Sequence, residues 1–141
     1  MSESGTLDGF HIGEVPEGLG DLVSDFASEW GDVQITSRVW ERQVADGHRV
    51  DLRVHVLRGQ RLADLDGLRD FLVEYHEREY DDSQVTEFPH PEGPGLATDV
   101  QVFWLAEPGV GVTVLVDPER VDQAGLFAFA RGIVRQGQPA D

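Results

Sequence analysis

The sequence predicts an α+β domain: a single antiparallel sheet of about six strands with two helices packed on one face. Three observations predict it. Runs of alternating apolar and polar residues come in pairs, tight-turn residues join the members of each pair, and two other stretches switch to helical spacing.

Taken in order, Phe10 to Val15 reads as a short strand ended by Pro16, and Asp21 to Trp30 as another before Gly31. Val33 to Val44 and Arg49 to Leu57 alternate with period two around Asp46-Gly47, a pair that tolerates the positive φ of a hairpin turn. From Leu65 the apolar positions Leu68, Phe71, Leu72 and Tyr75 recur at three and four, and the Asp64 carboxylate can accept an orphan amide as N-cap. Phe88 to Gly95 holds three prolines and reads as a surface loop. Val100 to Ala106 and Val110 to Val116 flank Glu107-Pro108-Gly109, where Pro presets one turn dihedral and Gly accepts the next. Asp122 caps a last helix carrying Leu126, Phe129, Ala130 and Ile133, with Val121 and Leu126 at staple spacing. Residues 1–8 and 136–141 read as flexible tails of a single domain spanning 1–141.

The alternation also assigns faces. Val33, Ile35 and Val39, with Val50, Leu52, Val54 and Val56, Val100, Val102 and Trp104, and Val110, Val112, Val114 and Val116, form an apolar set expected beneath both helices. The opposite set mixes Thr36, Arg38, Trp40 and Arg42, Asp51, Arg53, His55 and Leu57, Gln101, Phe103 and Leu105, and Thr113 and Leu115. A purely solvated face would not carry Trp40, Phe103 and Leu105, so something is expected to cover them. The candidates are the amino-terminal segment, the Pro-rich loop with Phe88, a second copy of the chain, or a ligand.

Composition narrows the chemistry. A formal net charge of -16 removes the electrostatic attraction to phosphate backbones and anionic lipid, so neither nucleic acid nor a membrane surface is an expected partner. The absence of cysteine excludes thiol chemistry and zinc ribbons. His11, His48, His55, His76 and His90 are scattered, with no i, i+4 pair on a helix, so no metal site is expected. No Ser sits in a nucleophile elbow and no Gly-rich loop opens a helix, which leaves no candidate catalytic residue and no cofactor. Asp51 and His55 share a strand face but lie about 13 Å apart, too far to act as a pair. The amino terminus has no basic or apolar leader segment, so a cytoplasmic location is expected. Eleven Arg without a single Lys reflects a GC-rich codon bias more than a selected role.

The segments Gly9 to Leu19, Arg49 to Val54, Leu68 to His76 and Gln101 to Leu105 resemble a family of small actinobacterial proteins without a known activity. The order of elements is also similar, at the level of fold alone, to single-sheet domains of bacterial lipoproteins and anti-sigma-factor tails and to Mog1/PsbP-like domains. Members of the last group mostly act as noncatalytic binding or assembly factors. The expected function is therefore a noncatalytic binding or protein-interaction module that uses the helix-free sheet face through Arg38, Trp40, Arg53, His55, Phe103 and Leu105. Its partner is an unidentified protein or a small anionic or aromatic ligand, and a homodimer is a further possibility. The alternative is a small cofactor-free enzyme of cyclase or isomerase type with a pocket lined by Trp40, His55, Phe103 and Arg53.

Overall fold

A computed structural model describes residues 3–77 and 79–135. The chain runs β1 (Glu3–Leu7), β2 (Phe10–Glu14), β3 (Leu22–Trp30), β4 (Val33–Val44), β5 (Gly47–Arg58) and α1 (Leu65–His76). Then come β6 (Thr86–Glu87), β7 (Gly95–Ala97), β8 (Gln101–Glu107), β9 (Val110–Val116), α2 (Gln123–Arg131) and β10 (Val134–Arg135). The α+β class holds. The expected single sheet of about six strands is instead a seven-stranded antiparallel sheet, ordered β3-β4-β5-β9-β8-β7-β6, with a separate three-stranded sheet β1-β2-β10.

Local chemistry accounts for the elements. The carboxylates of Asp64 and Asp122 accept the amides of Gly67 and Gly125, each at 2.8 Å, capping the two helices as their sequences require. Gly31 and Asp32 both take positive φ, +58° and +65°, the mirror-image turn that closes the β3–β4 hairpin. Pro108 and Gly109, the latter at φ +91°, close β8–β9. Residues Glu3–Leu7, inside the segment expected as a tail, pair with β2 and bury Leu7. The tail expected at 136–141 lies outside the described residues.

The two helices do not share a face. Leu126, Phe129, Ala130 and Ile133 of the α2 region, together with Phe10 and Ile12 of the small sheet, cover Trp40, Leu52, Val54, Val56, Val102, Trp104, Val112 and Val114. On the other side, Leu68, Phe71 and Leu72 of α1 cover Val33, Ile35, Leu57, Phe103 and Leu105. The sheet is thus the middle of three layers with a core on each side, and the expected helix-free face is covered in large part by α1. The polar residues on that face mislead because most are satisfied inside: Ser37 Oγ and His55 Nδ1 share a hydrogen bond of 2.6 Å, and Gln101 Nε2 donates to Thr113 Oγ1 at 2.9 Å.

Along β4 the faces are exchanged. Val33, Ile35 and Val39 were expected beside Leu52, Val54 and Val56, yet Trp40 pairs with Leu52, Arg38 with Val54 and Thr36 with Val56. The cause is one residue. Near the turn Val44 pairs with Gly47 and Glu41 with Val50, but the next pair is Trp40 with Leu52, which leaves Asp51 unmatched as a bulge. A one-residue offset exchanges the faces of everything beyond it.

The Pro-rich segment is not a free surface loop. Phe88 is buried against Phe127, with Arg131 over its ring at 4.8 Å, and His90 stacks on Trp104 at 4.0 Å while its Nε2 bonds Ala130 O at 2.9 Å. Gly93 is required there, because a Cβ would lie 1.9 Å from the carbonyl oxygen of Leu105. A Gly93→Ala variant is expected to lose about 1 to 3 kcal/mol, as overpacked sites do, measured by urea unfolding. Parent-like unfolding would show that the segment is free to move away.

Candidate functional site

The six residues expected to share a platform are divided by the sheet. Arg38 and Trp40 lie on the α2 side; Arg53, His55, Phe103 and Leu105 lie on the α1 side. Trp40 is a core residue, edge-on to Phe129 with ring centroids 6.3 Å apart. Arg38 is consumed by Asp25 on β3, with Nε and Nη2 donating at 2.8 and 3.0 Å, and it also donates to Thr6 O at 3.0 Å. Phe103 is buried beneath the Tyr80 ring at 5.6 Å, and Leu105 sits in the α1 core. Trp40, His55, Phe103 and Arg53 therefore line no common pocket.

His55 is buried under Tyr75, whose ring lies 6.4 Å away. Its burial, with lesser contributions from the positive charge of His76 and Arg53, pushes the imidazole down to about 4, so it is neutral at neutral pH.

Arg53 alone of the six is exposed, and it lines the edge of a cleft. Across the sheet Arg53 pairs with Leu115 and Leu115 with Gln101, so the three form one row on the α1 side, beyond the end of the helix. The segment that follows α1 and the turn between β7 and β8 wall this row, enclosing about 350 Å³ together with Tyr80, Thr98 and Asp99. The polar wall is built by a relay: Tyr80 Oη donates to Gln101 Oε1 at 3.0 Å, Gln101 donates to Thr113, and Thr113 donates to Val102 O at 3.1 Å. Thr98 Oγ1 accepts the amides of Val100 and Gln101, which holds the turn in place. Asp81 on the rim accepts both the hydroxyl and the amide of Ser83, which hold its carboxyl below the ordinary range. A more open concavity of about 570 Å³ lies on the other side of Arg53 and shares Val100 and Leu115 with the cleft.

Six of the ten described arginines are committed to acids. Arg38, Arg42, Arg49, Arg58, Arg61 and Arg135 are each in ion pairs with Asp or Glu. The guanidinium of Arg53, like those of Arg120 and Arg131, has no ion pair among the described residues in a chain with 27 acidic side chains, and of these three only Arg53 lines the cleft. The cleft residues Tyr80, Thr98 and Asp99 escaped sequence reading because the chain segments that carry them are irregular. Leu115 and Gln101 were already assigned to the face of Arg53 by period two, and that shared parity is the signal that finds the row.

Among the described residues no cluster of three His, Asp or Glu side chains is arranged to hold a metal ion, and no helix is long and apolar enough to cross a membrane. Comparison of the chain with protein-family models, curated proteins and solved structures finds no match, so the likenesses drawn from sequence order gain no support there.

Proposed function

We propose that the protein is a noncatalytic binding module whose working site is the Arg53 cleft, and that its ligand is small and carries one anionic group. The observation that carries this reading is the uncommitted guanidinium of Arg53 at a concave site, where its planar fork of donors suits a carboxylate or phosphate. The rim narrows the ligand further. Glu79, Asp81 and Asp99 also line the cleft, so a polyanion meets repulsion, while a ligand with a carboxylate at one end and a cationic or hydrogen-bonding group at the other is complementary. The apolar side of Leu115 and the Tyr80 ring favour an aromatic or aliphatic body between those ends.

The enzyme alternative has less to stand on. A general base must reach the ligand, and the buried His55 does not line the cleft and spends its Nδ1 on Ser37.

The test is a titration of the full chain followed by two-dimensional NMR, with benzoate, phenylalanine and inorganic phosphate as probes. Phenylalanine and benzoate are expected to shift the resonances of Arg53, Leu115 and Gln101 with millimolar or tighter affinity. Arg53→Gln should weaken that binding tenfold or more, the worth of a charge-assisted bidentate pair. Shifts that persist unchanged in Arg53→Gln, or none with any probe, would overturn the assignment.

A further inference from the structure

The two edges of the large sheet differ. One ends in β6, a strand of two residues, and the other in β3, which has nine. Natural edges of that length are blunted with charged side chains, Lys above all, with Pro or with a bulge. β3, LVSDFASEW, has no Lys, no Pro and no shift in its ladder with β4, and of its two charges, Asp25 and Glu29, the first is paired with Arg38. Instead it exposes Leu22, Val23, Phe26 and Trp30, with Phe26 55% accessible.

We propose that β3 is the interface with a second copy of this chain, paired antiparallel about a two-fold axis at Phe26, so that two sheets become one. This does not depend on the Arg53 cleft. The backbone indicates which groups are on offer. Trp30 and Val33 close a two-residue turn, and the closing pair of such a hairpin exchanges its hydrogen bonds, so Trp30, Ser28, Phe26, Ser24 and Leu22 spend their amides and carbonyls on β4. Val23, Asp25, Ala27 and Glu29 point theirs outward.

The residue order selects a second copy as the occupant and also selects the axis. With the axis at Phe26, Asp25 faces Ala27 of the second copy, Val23 faces Glu29, Ser24 faces Ser28 and Leu22 faces Trp30. The two Phe26 rings meet at a non-hydrogen-bonded pair, where side chains approach most closely. No like charges oppose each other, and the outward hydrogen bonds all find partners. An axis at Ala27 would set Asp25 against Glu29, and one at Asp25 would set that carboxylate against itself. An axis at Ser24 or Ser28 would leave Trp30 or Leu22 without an apolar neighbour. Asp25 is in addition already neutralised by Arg38 of its own chain. The cost is global: each copy brings a charge of -16, so association must strengthen with salt as the long-range repulsion is screened.

Sedimentation velocity over a range of protein concentration, at about 0.02 M and about 0.5 M salt, tests this on the full chain. The parent should dimerise, at least tenfold more tightly at the higher salt. Phe26→Lys places two cations at the axis and should raise the dimer dissociation constant by about a hundredfold or more. Ala27→Pro removes an outward amide that β4 does not use, an edge position where Pro is tolerated, and should give a monomer with the parent's circular dichroism. Val44→Asp, exposed but off this edge, should leave the dimer intact. Hydrogen exchange offers a second readout that needs no variant: the amides of Val23, Asp25, Ala27 and Glu29 should gain protection as protein concentration rises. A parent that stays monomeric at millimolar concentration in high salt, or a dimer that survives Ala27→Pro, would overturn the proposal.

Discussion

Asp51→Ala is expected to lower the folding free energy by about 3 to 5 kcal/mol, the range for removing one partner of a buried ion pair, and to loosen the register of β4 on β5. Asp51 is fully buried at the bulge. Its carboxylate accepts the amide of Gly20 at 2.8 Å and pairs with Arg42, while its carbonyl oxygen accepts the amide of Asp117 at 2.9 Å. Asp117 in turn pairs with Arg49 at 2.9 Å and faces Arg42 at 3.7 Å. One residue thus ties the β4–β5 hairpin to the segment before β3 and to the loop after β9. Without its carboxylate the Arg42 guanidinium stays in a site of low exposure with only Asp117 to compensate it. Asp51→Asn keeps an acceptor for Gly20 and should lose less. Urea unfolding gives the magnitude, and loss of the cross-strand proximity of Trp40 and Leu52 in NMR gives the register. A change below about 1 kcal/mol would mean that strand pairing alone holds the bulge.

The same residue explains how much of the fold was legible in the sequence. The phases of β5, β8 and β9 follow from alternation: Leu52, Val54, Val102, Trp104, Val112 and Val114 do share one core. The helices and their caps follow from spacing and from Asp64 and Asp122. In β4 both parities hold large apolar residues, Ile35 on one and Trp40 on the other, and both are buried in the structure, in different cores. Alternation tells that a side chain is inside and not which of two insides it belongs to. That information lies in the register, which shifts at Asp51, a residue held by contacts 9 and 31 residues away in the chain. The expectation of one covered face failed for a related reason. Hydrogen bonds such as Ser37 to His55 allow polar residues to be buried under α1, and pattern alone counts them as surface. At the candidate site, Arg53 was legible by its parity and its isolation in an acidic chain, whereas Trp40 and Arg38 were grouped with it only by the missing bulge.

Stability should depend on the protonation of His55 in a window that can be stated in advance. The folded chain holds this imidazole at about 4, against 6.5 for an ordinary histidine. Between those values the unfolded chain binds a proton that the folded chain refuses, so stability rises with pH. The contribution is complete above pH 6.5 and is lost as pH falls through 4; the difference corresponds to about 3 kcal/mol. Carboxylates titrate near the lower limit as well, so the readout is the difference between the parent and His55→Gln, followed by urea unfolding from pH 7 to pH 4. The variant loses packing and the Ser37 bond at every pH, which lowers its curve without tilting it. The parent should fall by about 3 kcal/mol more than the variant across the window, and its His55 ring resonances should not titrate above pH 5. Parallel curves would mean that the imidazole is protonated in the folded chain. That outcome would also bear on ligand binding, because a charged His55 would place a second cation behind Arg53 and widen the cleft's preference toward doubly charged anions. With His55 neutral, Arg53 acts without help from that imidazole, and the acidic rim of Glu79, Asp81 and Asp99 keeps the preference for a singly charged anion.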